Sequence, residues 1–544
     1  MHTSTLTLTL TSLLLASQNL ILVHSSNTPI SISADPTSNP IALTSQTSFG
    51  CLALDWWPAS KCDYDWCPWA VSSFLEVDLT SKVLKKAIST LAPEDTNVFL
   101  RLGGSLCDFV RYDFPGSHDD ECRDFSDPTN STRVGYELGS GCLKTDRWDE
   151  LNHFCADIPG CTLIFGINAL IGRENSTCPA DTDCHWDSAD NACCTEWSGN
   201  WNSSNAEALL RYTEAQGYDI YAFEFGNELT GKGGIQAQLD ADTYSTDFCA
   251  LKNLIDDIWT SSSSSAKPKV VGPDNSYDGD DDWFGNFTAL SFEKCGGPDV
   301  VTWHQYLLGA GVDSAADEKS RDPNVLDEQI KNGKNLKKII YDNTPEGSTP
   351  PEIWMGEAGG AYNSGRPGVT DAFTSSFWYL DGFGILSENS EQTFCRQTLV
   401  GGNYGLLQNT EQKDPNPDFF ALALWQNLMG KNVMEVTRSD AAADRYIRSY
   451  AHQSDSKDQL TFLLINLNNE TAYDVNLSAP GMSRFEDFTV TSESLDSQVV
   501  FLNGVELKLN DEGDFPNVAT LGVEAADGPL TLQPLTYGFY TFKK

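Results

Sequence analysis

The segment Tyr221-Ala-Phe-Glu-Phe-Gly-Asn-Glu228 indicates how this chain is built. It follows a helix-like run at 205–217, and its short, apolar and aromatic composition is typical of a buried strand. Its end, Gly226-Asn227-Glu228, opens into a glycine-rich loop, which is where an α/β barrel carries its catalytic groups. A lone glutamate in this position can equally cap a helix or pair with a base.

A second segment of the same shape favours a catalytic role. Glu352-Ile-Trp-Met-Gly-Glu357 is again strand-like, ends in Gly-Glu and opens into small residues at 358–365. Two carboxylates at two strand ends predict glycoside hydrolysis, because that reaction needs a proton for the leaving oxygen and a negative group facing the oxocarbenium-like carbon. Asn227, beside Glu228, fits this chemistry, since an amide can hold a sugar hydroxyl next to the reacting carbon.

Eight strand-like segments alternate with helix-like segments, which predicts a (β/α)8 barrel of the α/β class. Nearly every segment ends in Asp, Asn, Glu, Gly or Tyr, as expected for a catalytic face. The predicted strands are 50–55, 97–104, 161–168, 221–228, 269–273, 300–306, 353–357 and 397–404.

The composition changes near residue 431, where cysteine has disappeared and short strands with turns follow one another. This pattern predicts an all-β sandwich at 431–544, after a catalytic barrel at 49–430. Strands at 27–48 are expected to join the sandwich, because chain termini often meet. Residues 1–26 are predicted to be a signal peptide.

Length and charge limit the possible functions. The 544 residues exceed one ordinary domain, and 40% of them are hydrophobic, so the chain can bury a sizeable core. Lys and Arg number 35 against 77 acidic residues, which gives a net charge of −42. This balance argues against nucleic acid as a partner and against a densely sulfated polymer as a substrate, because both are polyanions.

The N-terminus indicates secretion. No Asp, Glu, Lys or Arg precedes Asp35, and residues 6–23 are apolar with interspersed Thr and Ser. This is typical of a signal peptide; a membrane anchor is the alternative, but the polar run Ser25-Ser26-Asn27 favours cleavage. No later run reaches the roughly 18 apolar residues of a spanning helix. We therefore expect an extracellular protein without a transmembrane segment, with a vacuole or lysosome as the alternative compartment.

Cysteine usage agrees with an oxidising compartment. There are 15 cysteines, none after Cys395, and their spacing lacks the paired histidines of a zinc site. Disulfides are therefore predicted, with one thiol left free or in an intermolecular bridge, and neither a metal nor a cofactor is expected. Six sequons predict a glycoprotein, at Asn130, Asn175, Asn202, Asn286, Asn469 and Asn476.

Further motifs connect these features to a known family. They are Leu54-Asp-Trp-Trp-Pro58, Lys61-Cys-Asp-Tyr64, Arg101-Leu-Gly-Gly-Ser105, Ile164-Phe-Gly-Ile-Asn-Ala169, Phe225-Gly-Asn-Glu228, Gly360-Ala-Tyr-Asn-Ser-Gly365 and Gly401-Gly-Asn-Tyr-Gly-Leu-Leu407. With them, the chain resembles glycoside hydrolase family 79, and within it the plant-type heparanase-like β-glucuronidases. The resemblance runs from about residue 49 to 430 and more loosely to the end.

The resemblance implies a retaining mechanism on a (β/α)8 barrel, with a β-sandwich built from both chain ends. Glu228 then corresponds to the acid/base and Glu357 to the nucleophile, while Asn227 binds the sugar 2-hydroxyl. Glu224, deeper in the same strand, is expected to fill the barrel or to pair with a base. The resemblance implies further substrate contacts by Asp55, Ser105, Asn168, His304, Tyr306, Tyr362, Gly402, Asn403 and Tyr404. The last four belong to the loops that hold a uronate carboxylate in this family. For His304, a merely buried, hydrogen-bonded ring is the alternative.

The chain departs from the family pattern in two places. An insertion at 173–200 carries Cys178, Cys184, Cys193 and Cys194, and we expect it to be a disulfide-stapled wall of the cleft. Relative to animal heparanases, Asn363-Ser364 replaces glycines beside the carboxylate loop, and basic residues near the cleft are sparse.

The function predicted from the sequence is that of a secreted exo-β-glucuronidase acting on extracellular glycans such as arabinogalactan-protein side chains. Two alternatives remain open: an endo-β-glucuronidase of heparanase type on a uronate-containing polymer, and a non-catalytic glycan-binding protein on the same fold. The presence of both glutamates disfavours the non-catalytic alternative.

Overall fold

A computed structural model describes most of the chain. The described residues are 24–25, 29–44, 48–70, 72–117, 122, 141–176, 195–231, 233–261, 263–277, 279, 282–439 and 445–544. Nearly all of the predicted signal peptide lies outside this set. So do the sequon Asn130 and the four cysteines of the insertion, Cys178, Cys184, Cys193 and Cys194, whose predicted disulfides therefore stay a prediction.

Eight parallel strands close into a barrel, which confirms the predicted α/β barrel class. Each strand pairs with the next one along the chain, and the eighth pairs with the first. The strands are β1 (Gly50–Leu54), β2 (Val98–Leu102), β3 (Cys161–Ile167), β4 (Ile220–Phe225), β5 (Lys269–Ser276), β6 (Val300–His304), β7 (Glu352–Ala358) and β8 (Thr393–Arg396).

A helix follows each barrel strand. Ser81 caps the first helix by accepting the N–H of Leu84, and the apolar side chains of that helix are spaced to bury one face. The third helix ends at Gly217, whose φ of 69° a glycine adopts without strain. The helices are α1 (Lys82–Leu91), α2 (Thr145–Ala156), α3 (Ser204–Gln216), α4 (Ala241–Ile258), α5 (Trp283–Cys295), α6 (Pro323–Asp342), α7 (Ser375–Glu388) and α8 (Pro417–Leu428), with a short extra helix at Ala316–Lys319.

The predicted position of the eighth strand, 397–404, is wrong. The strand lies just before it, at Thr393–Arg396, and the predicted segment instead forms the loop after β8, with a 3-10 turn at Gly402–Tyr404. Gly401 and Gly402 have φ values of 104° and 65°, which are incompatible with an extended strand. The true strand has only four residues, and a Cys and a buried Arg are among them. Its apolar pattern is therefore too weak to be recognised as a strand from the sequence.

One side chain from each strand fills the lower part of the barrel. This layer consists of Cys51, Phe99, Ile164, Ala222, Val271, Val300, Trp354 and Cys395, all buried. A disulfide between Cys51 and Cys395 joins β1 to β8, where the first and last strands of the barrel meet. The other disulfides between described cysteines are Cys62–Cys67, Cys122–Cys142, Cys155–Cys161 and Cys249–Cys295.

A β-sandwich follows the barrel. Its larger sheet is ordered Val505–Glu506, Val500–Leu502, Ser483–Ser492, Thr536–Lys543, Gln459–Asn466, Ile447–Gln453, Asn432–Met434 and Ala42–Leu43, with Val523–Glu524 beside Ser483–Ser492. Its smaller sheet is ordered His24–Ser25, Thr471–Ser478, Ile30–Ala34 and Val436–Arg438, with Leu530–Leu532 beside Thr471–Ser478. Ile30–Ala34 therefore lies between two strands from the C-terminal region.

The sandwich packs tightly on the last two barrel helices. The rings of Phe373 and Tyr537 stack with centroids 5.8 Å apart, and the Tyr450 hydroxyl donates to Asp381 at 2.6 Å. Short sheets outside the barrel pair Val110–Asp113 with Gly141–Lys144, Gly309–Ala310 with Ala361–Tyr362, and Thr195–Ser198 with Glu174–Ser176 and Ala237–Gln238. None of the described helices combines the length and apolarity needed to cross a membrane.

Removing the Cys51–Cys395 bridge is expected to destabilise the protein as a whole. These residues are 344 positions apart, so the crosslink strongly restricts the unfolded chain. We expect Cys51→Ala/Cys395→Ala to cost about 2–5 kcal/mol, seen as a lower thermal midpoint in calorimetry. The matched control is Cys62→Ala/Cys67→Ala, because that bridge spans only 5 positions. Equal losses in both variants would contradict this account.

Candidate active site

The two glutamates predicted from the sequence lie at the C-terminal end of the barrel. Glu357 belongs to β7, and Glu228 lies in the turn after β4 with φ 54°, its N–H donating to the Asp274 carbonyl at 2.8 Å. The glycines near them are needed for space. A Cβ at Gly356 would lie 2.8 Å from a carboxylate oxygen of Asp274, and one at Gly233 would lie 2.6 Å from Glu228 Oε2.

The guanidinium of Arg101, on β2, is the centre of the site. It is fully buried and donates to carboxylates from three other strands: Glu224 (2.7 Å), Asp274 (2.5 Å) and Glu357 (2.9 Å). A fourth bond, 3.3 Å long, reaches Asn227 Oδ1. Burial lowers the pKa of Arg101, but the three carboxylates outweigh it and raise that pKa well above its ordinary value. The pairing of Glu224 with a base agrees with its expected role.

Glu228 is held from one side by His304 and Ser276. The Ser276 hydroxyl donates to Oε1 at 2.5 Å, and His304 Nδ1 lies 3.0 Å from the same oxygen. No described residue hydrogen-bonds Oε2 of Glu228, which leaves that oxygen for a reaction. Burial raises the pKa of Glu228, but His304 and the Ser276 hydroxyl outweigh it, so the pKa lies below its ordinary value.

Glu357 is held by different partners. The Tyr306 hydroxyl donates to its Oε1 at 2.6 Å, while Arg101 binds Oε2. Asp55, at the end of β1, accepts the Trp56 N–H and the Gln397 amide, both at 2.6 Å. Burial, followed by the charge of Glu357, raises the pKa of Asp55 to about 7.

Asn227 presents a free amide at the site. Its N–H donates to Asp108 at 2.8 Å, which fixes the turn after β4, and its Oδ1 accepts from Arg101. Its Nδ2 is buried and has no hydrogen-bond partner in the described part of the chain. A buried NH2 group without a partner is costly unless a ligand accepts a hydrogen bond from it, so this geometry suits the predicted bond to a sugar hydroxyl.

Two residues with predicted substrate contacts are occupied by the protein itself. His304 is fully buried, and its nitrogens bond Glu228 and, at 2.7 Å, Asp274. Because neither nitrogen remains for a sugar, this geometry favours the alternative of a buried, hydrogen-bonded ring, and the substrate contact of His304 stays a prediction. Asn168 donates to the Val110 carbonyl (2.9 Å) and accepts the N–H two residues further on, which holds the loop after β3. The sugar contacts of Asn168 and of half-buried Ser105 stay predictions.

The predicted uronate-binding residues lie on the loops after β7 and β8. Tyr362 is 42% exposed at the mouth of the barrel, and its ring meets that of Tyr306 edge-on at 6.4 Å. Tyr404 is buried, and Gly402 is half-buried beside it. The N–H of Asn403 donates to the Ser364 carbonyl at 2.7 Å, so that particular amide is engaged by the protein.

A bridge of side chains spans the loops after β1 and β7. Asn363 Nδ2 donates to the Tyr64 hydroxyl at 2.9 Å, and the Ser364 hydroxyl donates to Asp63. Trp69 Nε1 donates to Ser364 Oγ at 2.8 Å. We name Asn363, Ser364, Asp63 and Tyr64 the β1–β7 bridge. Because β8 lies between β1 and β7, the bridge crosses the barrel mouth on the side of the Gly402–Tyr404 turn.

Sequence reasoning missed several members of the site. Arg101 was noted only as part of a motif, although a charged residue inside an apolar strand signals a buried partner. Asp274 and Ser276 were missed because the fifth strand was predicted to end at Pro273, whereas it continues to Ser276. Among the described residues, no cluster of His, Cys, Asp and Glu could hold a metal ion.

A closed (β/α)8 barrel with paired carboxylates at its C-terminal face defines the chain as a glycoside hydrolase of the TIM-barrel type. The sequence profile "Glycosyl hydrolase family 79, N-terminal domain" matches residues 32–384. The chain belongs to glycoside hydrolase family 79, and the predicted family resemblance is confirmed.

Several known proteins are similar along most of their length. Heparanase-like protein 1 of Arabidopsis thaliana is 36% identical over 529 residues, covering 90% of each chain. Baicalin-beta-D-glucuronidase of Scutellaria baicalensis is 34% identical over 508 residues, covering 92% of this chain and 90% of its own. A solved 4-O-alpha-L-rhamnosyl-beta-D-glucuronidase from Fusarium oxysporum superposes with a TM-score of 0.63 at 13% identity, over 94% of this chain and 99% of its own, which agrees with the fold.

Replacing Arg101 is expected to destabilise the barrel. Arg101→Met leaves three buried carboxylates without their cation, and removing one partner of a buried ion pair costs about 3–5 kcal/mol. Arg101→Lys keeps the charge but offers a single ammonium to three strands, so an intermediate loss is expected. Thermal midpoints measured by circular dichroism test this order. A midpoint for Arg101→Met equal to that of the wild type would refute the central role of the guanidinium.

Proposed function

We propose that the chain is a secreted, retaining exo-β-glucuronidase that releases a single terminal β-linked glucuronic acid, 4-O-methylated or not, from extracellular glycans such as arabinogalactan-protein side chains. The observation that carries this proposal is the pair Glu228 and Glu357, held by different partners at the ends of β4 and β7. The glucuronidase activity of the related baicalin enzyme supports the same substrate class.

The two carboxylates have separate tasks in the proposed reaction. Glu357 attacks the anomeric carbon as the glycosidic C–O bond breaks, and protonated Glu228 gives its proton to the leaving oxygen. Glu228, now a carboxylate, then takes a proton from water. That water attacks the same carbon and releases Glu357 as the bond between them breaks. Asn227 is proposed to hold the sugar 2-hydroxyl through its free Nδ2.

The environment of Glu228 favours acidic conditions for the first step. A general acid must be protonated, and the pKa of Glu228 lies below its ordinary value because His304 and Ser276 outweigh burial. The protonated fraction therefore rises as the pH falls towards that pKa. Hydrolysis of substrates with poor leaving groups is accordingly proposed to be fastest on the acid side of neutrality.

Two features of the barrel mouth support exo action on a uronate. The β1–β7 bridge narrows the cleft beside the Gly402–Tyr404 turn, where the uronate carboxylate is proposed to bind. Backbone N–H groups and phenols can hold one carboxylate without a Lys. Several sulfates would instead be repelled by a protein of net charge −42, although salt screens much of this repulsion.

Secretion and glycosylation are part of the proposal. Disulfides such as Cys155–Cys161 persist in oxidising compartments. The four sequon asparagines with described side chains are all exposed, as glycan attachment requires: Asn202, Asn286, Asn469 and Asn476.

The roles of the two glutamates can be tested by kinetics. Glu357→Gln should abolish hydrolysis of an aryl β-glucuronide, because no nucleophile remains. Glu228→Ala should slow poor leaving groups far more than good ones, and azide should restore turnover by attacking the glycosyl-enzyme. Near-normal activity of Glu357→Gln would show that the nucleophile is misassigned, whereas a wild-type protein that hydrolyses no β-glucuronide would favour the non-catalytic glycan-binding alternative.

Product analysis tests exo action. Glucuronic acid-capped galactan oligosaccharides should yield free monosaccharide, while heparan sulfate should not be shortened. The double variant Asn363→Gly/Ser364→Gly removes two side chains of the β1–β7 bridge at φ values of 57° and 64°, which glycine tolerates, so the fold should persist. We expect it to gain cleavage of chains extended beyond the glucuronate. Rapid mid-chain cleavage by the wild type would favour the endo alternative.

A further inference from the structure

A chain of three polar groups leads from the barrel interior to Glu228. Asp274 Oδ1 lies 2.7 Å from His304 Nε2, and His304 Nδ1 lies 3.0 Å from Glu228 Oε1. The backbone also connects Glu228 directly to Asp274, because the Glu228 N–H donates to the Asp274 carbonyl at 2.8 Å. Asp274 is 1% exposed and His304 fully buried, so water cannot replace either contact.

We propose that Asp274 and His304 form a positioning pair that sets the protonation state of Glu228 and thereby the pH range in which it can act as an acid. This inference rests on the proposed function, because it assigns the control of the acid/base residue named there. Neither residue is proposed to touch the substrate, since both ring nitrogens and both Asp274 oxygens are occupied by the protein.

The orientation of the pair is fixed from several strands. Asp274, with φ 56°, donates its N–H to Thr302 Oγ1 at 3.0 Å and accepts from Arg101 on its second oxygen. His304 ends β6, and its carbonyl accepts the Tyr277 N–H at 3.1 Å. The imidazole therefore cannot turn away from Glu228 without also breaking its bond to Asp274 on β5. A group held this firmly acts through its charge rather than through movement.

The charges around the ring favour the imidazolium. Burial lowers the pKa of His304, but Asp274, Glu357 and the hydrogen bonds outweigh it and raise that pKa to about 10. Other ionisable or polar groups around the pair come from every neighbouring element: Arg101 from β2, Cys107 and Asp108 from the segment after β2, Glu224 from β4, Tyr244 from α4, Ser276 from β5, and Thr302 and Tyr306 from β6 and the residues after it. Arg101 binds the second oxygen of Asp274, and Ser276 binds Glu228, while the first oxygen of Asp274 binds the side of the ring that faces away from Glu228.

This arrangement gives Asp274 an indirect effect on catalysis. With Asp274 ionised, the ring carries a positive charge, and that charge favours the carboxylate form of Glu228. Without Asp274, the ring would lose its strongest stabilising neighbour and become neutral at lower pH. The negative charge of Asp274 also acts on Glu228 directly and raises its pKa, but this effect is smaller than the lowering by His304. Once the ring is neutral, burial therefore outweighs the remaining partners of Glu228, whose pKa rises, and Glu228 stays protonated to higher pH.

The test is the pH profile of Asp274→Asn in the full-length enzyme. For a β-glucuronide with a poor leaving group, we expect the alkaline limb of kcat/KM to move upward by about 1 pH unit or more, the usual effect of losing a nearby charge. With a good leaving group, which needs no acid, that limb should stay near its wild-type position. A purely structural role would lower both activities without moving either limb.

Glu224→Gln is the matched control. It also removes one buried carboxylate from Arg101, at 2.7 Å, but Glu224 has no hydrogen bond to His304 among its described contacts. Its alkaline limb should move much less than that of Asp274→Asn. Equal shifts in the two variants would assign the effect to the total charge around Arg101 and would overturn the proposal.

His304→Gln provides the second variant, which carries the test if Asp274→Asn does not fold. It should shift the alkaline limb in the same direction, and the double variant should add nothing further, because the two residues act in series. An unshifted limb in His304→Gln would refute the proposal. If Glu228→Ala and Glu357→Gln behave as described above, such a result would leave the proposed function intact and remove only the role of the pair.

Discussion

The buried guanidinium of Arg101 is the interaction on which the site depends. A charge without access to water must be neutralised by the protein, and here one cation on β2 binds carboxylates from β4, β5 and β7. The three carboxylates together carry more negative charge than the single guanidinium can neutralise. His304 supplies a second cation between Glu228 and Asp274, which explains how four acids can share the C-terminal end of the barrel: Glu224, Asp274, Glu228 and Glu357.

The end of β6 also fixes the relative position of the two acids that are proposed to react. His304 ends β6 and binds Glu228, while Tyr306, two residues further on, binds Glu357. A single strand end therefore contacts both carboxylates. Because strands of a closed barrel cannot slide independently, the distance between the two acids is set before any substrate arrives. Such preorganisation is what a reaction with developing charge requires, since little reorganisation remains when the bond breaks.

Much of this arrangement could be predicted from the sequence, and the rest could not for identifiable reasons. Strand-end motifs revealed Glu228 and Glu357, because a short apolar run followed by Gly and an acid is a local signal. Asp274 escaped notice because Pro273 seemed to end its strand, whereas the barrel continues through it with a register shift before Asn275. The partners of Arg101 lie 123 to 256 positions away in sequence, and no local pattern reports contacts at that range.

Four of the residues with strained backbone lie where the chemistry is proposed to occur. Outside glycine, left-handed φ values are rare and cost about 1–3 kcal/mol each, yet Glu228, Asp274, Asn363 and Ser364 all adopt them at the barrel mouth. Each is secured by hydrogen bonds to another strand or loop.

In Glu228 and Asp274 the strained turns direct side chains towards Arg101 and His304. In Asn363 and Ser364 they direct side chains across the cleft to the loop after β1. Glycines at the latter two positions would hold the same backbone with less strain but could not form the β1–β7 bridge. The strain at 363–364 is therefore best explained by the contact that these side chains make with the loop after β1, and this contact is the feature on which the proposed preference for a terminal sugar depends.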